Sequence, residues 1–356
     1  MKLDRLHRVV KNMKEMGIDQ VLVSSPASVF YLTGAWVHPG ERMLALYVSE
    51  DGVTFYANRL FALAGNVDVP LVEFDDTDDS VAVLAQGIRP GRLGIDKFWP
   101  SQFTLRLMEA RPDVKCVVGS RCVDDARMFK DAEELELMRA ASLKNDAATS
   151  RLIAAIHAGM TESELAAAYS AAAKDLGAEG LSFDALICFG ANCAEPHHGT
   201  DDTALKSGDS VIMDVGLTWK SYCSDMTRTV FFEKATDEQK RVYELVERAN
   251  RAGRAAVRPG IPLKEIDRAA RKVIEDAGYG KYFIHRTGHG IGLETHEPSD
   301  VSATNEVLTA PGMVFSVEPG IYLPGRFGVR VEDLVAVTED GGETLNKLDR
   351  DFVIVK

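Results

Sequence analysis

Apolar residues recur at helical spacing from the first turn of the chain: Leu3, Leu6, Val10, Met13 and Met16 stand among charges in "MKLDRLHRVVKNMKEMGID", which predicts an amphipathic helix. Short runs rich in β-branched and aromatic residues follow, "QVLVSS", "MLALYVS", "GVTFYAN" and "KCVVGS". Up to about residue 122 they predict a small α/β domain with its own sheet. From Asp131 the periodicity lengthens. A helical stretch begins with Asp131 followed three places on by Glu134 and stops at Gly159. Another starts at Thr161 with Glu164 and ends at Gly177, a third starts at Thr236 with Gln239, and a fourth ends at Gly278.

The second region repeats itself. "GMTESELAAAYSAAAKDLG" (159–177) lies without gaps on "GIPLKEIDRAARKVIEDAG" (260–278), matching Gly159 to Gly260, Glu164 to Glu265 and Gly177 to Gly278. "SGDSVIMDVGL" (from Ser207) lies on "PGMVFSVEPGI" (from Pro311), placing Asp214 on Glu318 and Gly216 on Gly320. Partner strands supply Asp225 in one half and Glu332, in "GVRVEDLVAV", in the other. A duplicated helix-helix-hairpin unit would set two hairpins, each with two carboxylates, about a pseudo-twofold axis.

The chemistry follows from that placement. "VIMDVGLTWKSYCSDMTRTVFF" (211–232) reads as two apolar strands around a turn. Paired about the centre between Trp219 and Lys220, they set Asp214 directly opposite Asp225 on one face. Taken alone, the segment reads nearly as well as a pair of solvated turn or edge residues. Four inward carboxylates are different: burying each costs several kcal/mol unless a positive charge lies between them. Such an oxygen-rich set suits two divalent cations, Mn²⁺ or Co²⁺ first, with Zn²⁺ also compatible. A histidine is the expected further ligand, and His289 stands between two glycines in "HRTGHGIGLETHE".

Composition narrows the function class. A length of 356 residues with 46% apolar content suggests two domains, and a net charge of −13 with pI about 5.2 offers no footing for nucleic acid or an anionic membrane surface. The five cysteines form no metal-type pairs and suit a reducing compartment; Cys223, beside Asp225, reads as a structural thiol. The N-terminus lacks the apolar stretch of a signal peptide and no span reaches transmembrane length, so a cytoplasmic location is expected.

Together, "MDVG", "SDMTRT", "HRTGHGIGLETHE", "SVEPGIY" and "GVRVED" resemble the metallopeptidases of the pita-bread fold, the methionine aminopeptidase and prolidase superfamily. The likeness covers essentially the whole chain, because "VLVSSPASVFYLTG" and the β-rich sequence after it resemble the N-terminal domain of prolidases, aminopeptidases P and creatinases. It implies an α/β N-terminal domain over 1–122 and a pita-bread α+β catalytic domain over 123–356. It also implies Asp214, Asp225, His289, Glu318 and Glu332 as ligands of two divalent ions, Mn²⁺ foremost, with Asp225 and Glu332 bridging. Glu318 would shuttle the proton, and His197 and His296 would contact substrate and steady the tetrahedral intermediate. Arg330, His198, His285 and Tyr222 are expected beside the metals or substrate.

The implied reaction is hydrolysis of Xaa-Pro bonds, favoured as a dipeptidase (prolidase), with an aminopeptidase acting on longer peptides as the alternative. A non-catalytic binding protein on the same scaffold is a third reading. The arginine that some prolidases carry after the "HE" of His296-Glu297 is missing from "HEPSDVS"; Arg326 or Arg330 would have to read a dipeptide's carboxylate in its place. The resemblance further implies a homodimer, with the segment 32–42 closing the pocket and His38 as an exposed loop residue.

Overall fold

The amphipathic start folds as α1 (Leu3–Glu15), which buries Val9 and Met13, in a computed structural model that describes residues 1–356. The apolar runs become β1 (Gln20–Val23), β2 (Leu44–Ser49), β3 (Gly52–Asn58), β4 (Leu71–Phe74), β5 (Gly91–Ile95) and β6 (Val114–Val118). They form one sheet in the order β4-β3-β2-β1-β5-β6, with β1, β2 and β3 antiparallel and the other pairings parallel. Helices α2 (Pro26–Thr33), α3 (Ser80–Gly87) and α4 (Ser101–Ala110) complete it, and Leu22, Ala45, Phe74, Leu84, Leu93 and Phe103 share its core.

This unit runs to Arg127; a second comprises Met128–Lys356. A boundary after residue 122 would cut α5 (Arg121–Arg127). That helix stays with the first unit because Asn12 Nδ2 donates to the Cys122 carbonyl (3.0 Å) and the Tyr31 hydroxyl to that of Ala126 (3.1 Å). No helix in either unit is long and apolar enough to cross a membrane.

In the second unit the helix starts fall where the capping pattern put them. Asp131, Thr161 and Thr236 each accept a backbone N–H three residues on, and Glu134, Glu164 and Gln239 return the bond, opening α6 (Ala132–Ala155), α7 (Glu162–Asp175) and α8 (Asp237–Ala256). α9 (Leu263–Asp276) follows. The strands are β7 (Gly180–Leu181), β8 (Leu186–Phe189), β9 (Ser210–Val215), β10 (Leu217–Trp219), β11 (Tyr222–Cys223) and β12 (Met226–Phe232), then β13 (Gly288–Gly290), β14 (Glu297–Val301), β15 (Val314–Val317), β16 (Gly320–Leu323), β17 (Phe327–Arg330), β18 (Asp333–Val337), β19 (Gly342–Thr344) and β20 (Ile354–Val355).

The internal repeat is visible in the backbone. Gly159 and Gly260 have φ of 76° and 80°, Gly177 and Gly278 81° and 82°, and Gly208 and Gly312 95° and 91°. Thr161 bridges to Ala204 in one half as Pro262 bridges to Leu308 in the other. Helices α6 and α7 cover the sheet β20-β12-β9-β8 through Leu165, Tyr169, Ile187 and Met213, while α8 and α9 pack against strands of the second half through Val246, Ile266, Phe315 and Val329. This is the duplicated pita-bread arrangement.

Each half carries a hairpin whose tip breaks away from its sheet at the acidic residues. In the first, β9 pairs with β12 and β10 with β11; in the second, β15 pairs with β18 and β16 with β17. Asp225, Glu318 and Glu332 lie in the breaks, and Asp214 is the penultimate residue of β9. The registers differ. Val317 faces Asp333 and Gly320 faces Arg330, which leaves Glu318 across from Glu332.

In the first hairpin the expected register is displaced by two residues. Asp214 faces Thr227, and Asp225 lies across from Gly216, between the pairs Val215–Met226 and Thr218–Cys223. The cause is the turn: Lys220 and Ser221, with φ of 47° and 72°, join the paired Trp219 and Tyr222. Two left-handed residues match the twist of a tight hairpin, and the pair Trp219-Lys220 does not. A shift of two keeps both aspartates on one face, so the convergence survives the change.

Candidate metal centre

The two bends and β13 bring Asp214, Asp225, Glu318, Glu332 and His289 to one cavity of about 360 Å³. The His289 Nε2 lies 3.5 Å from Glu318 Oε1 and 3.7 Å from Asp225 Oδ2. Donor atoms of Asp225, His289 and Glu332 all fall within 4.8 Å of one another. The ring orientation is set locally: Nδ1 lies 3.0 Å from the Gly290 carbonyl, which can only accept, so the proton sits on Nδ1 and the Nε2 lone pair faces the acids. Ser316 links two of the groups, accepting the His289 N–H (3.0 Å) and donating to Glu318 Oε1 (3.0 Å). Glycine at 288 is required, since a Cβ there would stand 1.9 Å from the Ser316 carbonyl.

Charge in this cavity is unbalanced. Burial, then the repulsion of neighbouring acids, holds the carboxyls of Asp225 and Glu332 well above the ordinary range, and burial raises Glu318 as well. One guanidinium bonds a cavity acid: Arg330 donates to Asp214 Oδ2 at 2.6 Å, to the Tyr322 hydroxyl at 3.0 Å and to Thr227 Oγ1 at 3.1 Å. Thr227 in turn donates to Glu332 Oε2 at 2.7 Å. Asp214 Oδ1, Asp225 Oδ1 and Glu332 Oε1 are buried without any hydrogen-bond partner. Buried acceptors are normally satisfied, so three bare carboxylate oxygens beside an imidazole lone pair are a donor set that fits hard or borderline divalent cations.

His197 and His296 line the same cavity. The His296 ring packs 4.2 Å from that of His289, and burial, then the neighbouring His289, push its pKa down to about 4, leaving it neutral near pH 7. His285 also lines it; its Nε2 is 2.9 Å from the Tyr322 hydroxyl, so a chain of bonds runs from Asp214 through Arg330 and Tyr322 to His285.

Two expected neighbours are placed elsewhere. His198 turns away from its neighbour His197, and its Nε2 meets Glu162 at 3.2 Å. Tyr222 is buried with its hydroxyl on Glu134 of α6 (2.9 Å), so it braces helix against hairpin and does not line the cavity. Arg326 is a surface group paired with Glu238, and Cys223 is a buried thiol with its pKa raised to about 11, first by burial. Sequence reasoning did not single out Ser316, Thr227, Tyr322 or Arg286, although all four sit in or beside the motifs it used. Arg286 lines the cavity and is paired with Asp300.

Residues 136–339 match metallopeptidase family M24, and residues 5–129 match the creatinase/prolidase N-terminal domain. Among solved structures, the prolidase of Thermococcus sibiricus superposes with a TM-score of 0.94 at 33% identity, over 99% of this chain and 98% of that one. A dipeptidase of Pyrococcus horikoshii gives 0.93 at 36% identity, over 99% and 100%. The X-Pro aminopeptidase of Thermotoga maritima gives 0.85 at 31%, over 97% and 100%. With a donor set that fits metal at the bends of its two hairpins and a match across most of the second unit, the chain belongs to metallopeptidase family M24.

Proposed function

We propose that the protein is a dinuclear-metal Xaa-Pro dipeptidase, releasing proline from dipeptides. The observation that carries this reading is the set of bare buried oxygens on Asp214, Asp225 and Glu332 beside His289 and Glu318, in a cavity of dipeptide size. These five residues are the proposed ligands of two divalent ions, Mn²⁺ by the oxygen-rich donor set. When bound, such ions acidify water and polarise a carbonyl.

The chain's own groups do the rest. Glu318, steadied at Oε1 by Ser316, takes a proton from the attacking water and passes it to the leaving proline nitrogen, which has no hydrogen of its own. His296 and His197 donate to the carbonyl oxygen as it gains charge. Phe183, Leu186 and Pro196 give the cavity an apolar side against which a proline ring packs. The departure at "HEPSDVS" leaves the reader of a dipeptide's carboxylate open. Arg330 is committed to the buried Asp214 and Arg326 lies on the surface; Arg286 lines the cavity and would exchange its solvent-exposed partner Asp300 for the substrate carboxylate. Unpaired thiols at all five cysteines accord with a cytoplasmic protein, and the homodimer belongs to the same reading.

The test is hydrolysis of Ala-Pro and Ala-Pro-Ala by Mn²⁺-loaded protein beside an EDTA-treated control. Cleavage of Ala-Pro alone, lost with EDTA, is the expected result. Preference for the tripeptide would make the protein an aminopeptidase, and cleavage of neither would remove the proline-specific reading.

A further inference from the structure

A second acidic group is buried on the far side of the segment that carries His197. Glu162, the first residue of α7, has a side chain 0% exposed. Its Oε1 accepts the Phe189 N–H at 2.7 Å and the Asn192 side-chain amide at 2.9 Å. Its Oε2 accepts the Asp201 N–H at 3.1 Å and meets His198 Nε2 at 3.2 Å. A carboxylate has about four acceptor positions, and all are taken. Glu162, His198 and Asp201 therefore do not form a second cation site; they form a clamp. Its partners span residues 189–201, the stretch that leaves β8 and passes the cavity.

The other side of that stretch is held from within. The Pro196 carbonyl accepts Arg330 Nη1 at 3.5 Å, and the same guanidinium holds Asp214. Backbone packs on backbone here, because a Cβ at Gly328 would stand 1.8 Å from the Cys193 carbonyl. His197 thus sits between two tethered neighbours, Pro196 facing the proposed ligands and His198 facing Glu162. The His198 N–H donates to the Glu195 carbonyl at 3.1 Å and closes a turn with Pro196 and His197 at its centre, so holding His198 on Glu162 anchors the end of the turn that presents His197 to the cavity.

We propose that Glu162 is a positioning residue for His197: its buried carboxylate, acting through His198 and the 189–201 segment, fixes where the catalytic imidazole stands. This rests on the role given to His197 above, and it adds a residue remote from the reacting atoms whose loss acts on turnover.

The test is a double-mutant cycle with Glu162→Gln and His197→Ala in the full, Mn²⁺-loaded chain, reading kcat and KM on Ala-Pro. The amide side chain keeps the size of Glu162 but turns a donor toward groups that are themselves donors. Glu162→Gln is expected to lower kcat roughly 10- to 100-fold with KM within about threefold, since a small misplacement of a catalytic group costs on that order. In the His197→Ala background the same change should alter kcat by less than about twofold, because coupled residues are non-additive. An equal factor in both backgrounds overturns the proposal. Where Glu162→Gln folds poorly, His198→Asn, which leaves Glu162 its backbone partners, should show the same dependence on His197, and its absence also overturns it. Amide hydrogen exchange at Phe189 and Asp201 separates the two claims. If the wild-type chain leaves Ala-Pro intact the dipeptidase reading falls, and unchanged protection of both amides in Glu162→Gln then overturns the clamp on its own.

Discussion

Glu332 and Asp333 are adjacent, both acidic and both buried, yet they sit in opposite electrostatic worlds. Asp333, 0% exposed, receives Arg228 Nη2 at 2.9 Å and Arg350 at 2.6 and 2.7 Å, with Arg254 at 3.5 Å. Burial pushes its pKa up, but the three guanidinium groups more than reverse that and leave it below the ordinary value. Glu332, one residue earlier, points to the other face, where it meets the Thr227 hydroxyl and other acids, and its pKa is held well above the ordinary value, first by burial. The strand that pairs nearby shows the same split, since Thr227 serves Glu332 and Arg228 serves Asp333. The chain can supply cations to a buried acid where it needs only structure. On the face turned to the cavity only Asp214 receives a guanidinium, and the surplus of negative charge left on Asp225, Glu318 and Glu332 is what fits the centre to metal.

The largest expected contrast comes from neutralising each acid in turn. Asp333→Asn strands buried arginines and should lower stability by about 3–5 kcal/mol in urea unfolding, while folded protein retains its metal. A loss below about 1 kcal/mol would show that the arginine cluster is solvated in solution. Glu332→Gln should do the reverse. It is expected to lower activity at least about 100-fold and to reduce bound metal measured by elemental analysis. EDTA-treated Glu332→Gln should be no less stable than EDTA-treated wild type, because one of several repelling charges is gone. Wild-type protein should lose stability on chelation, since metal that binds only the folded chain stabilises it. Equal metal content in Glu332→Gln and wild type would break the comparison.

Next in size is Arg330, the guanidinium bonded to Asp214 in the cavity. Arg330→Met leaves Asp214 Oδ2 without its donor, and the chelated protein should lose about 2 kcal/mol. With metal restored the loss should shrink, because bound cations take over the compensation of Asp214. An identical loss with and without metal would mean that Arg330 acts through packing and its bond to Tyr322.

Several elements that build this cavity are legible in the sequence for identifiable reasons. Capping boxes announce helices through local bonds, so Asp131, Thr161 and Thr236 could be placed without tertiary knowledge. The repeat was legible because matched glycines such as Gly159 and Gly260 occupy left-handed positions that few other residues adopt readily. The carboxylates followed from the repeat. The register of the first hairpin did not, because Lys220 and Ser221 adopt left-handed φ without being residues that advertise it. His197 and His198 look equivalent in a string, whereas the turn closed by the His198 N–H on the Glu195 carbonyl leaves His197 on the cavity and His198 on Glu162. Tyr222 is placed by a tertiary contact that no local pattern shows: its partner, Glu134, lies 88 positions away on α6. The balance between Glu332 and Asp333 is of the same kind, since Arg228, Arg254 and Arg350 are distant in sequence and only folding brings them to one carboxylate.

The smallest expected effect tests the division at its seam. Thr227 donates to Glu332 Oε2 and accepts from Arg330 Nε, so its hydroxyl is the one neutral group joining the acid to the cation. Thr227→Val keeps the β-branched shape in β12 and deletes only those bonds. The loss in the chelated protein should be about 1 kcal/mol, the usual net value of a hydrogen bond with a share of desolvation. Metal affinity should fall modestly, within about tenfold, as the orientation of Glu332 loosens. Because Arg228 points to the other face, the arginine cluster around Asp333 should be untouched, and Thr227→Val and Asp333→Asn should combine additively in unfolding free energy within about 0.5 kcal/mol. A larger coupling would show that the two faces of this strand respond as a single electrostatic unit, and the contrast between Glu332 and Asp333 would then be one of degree.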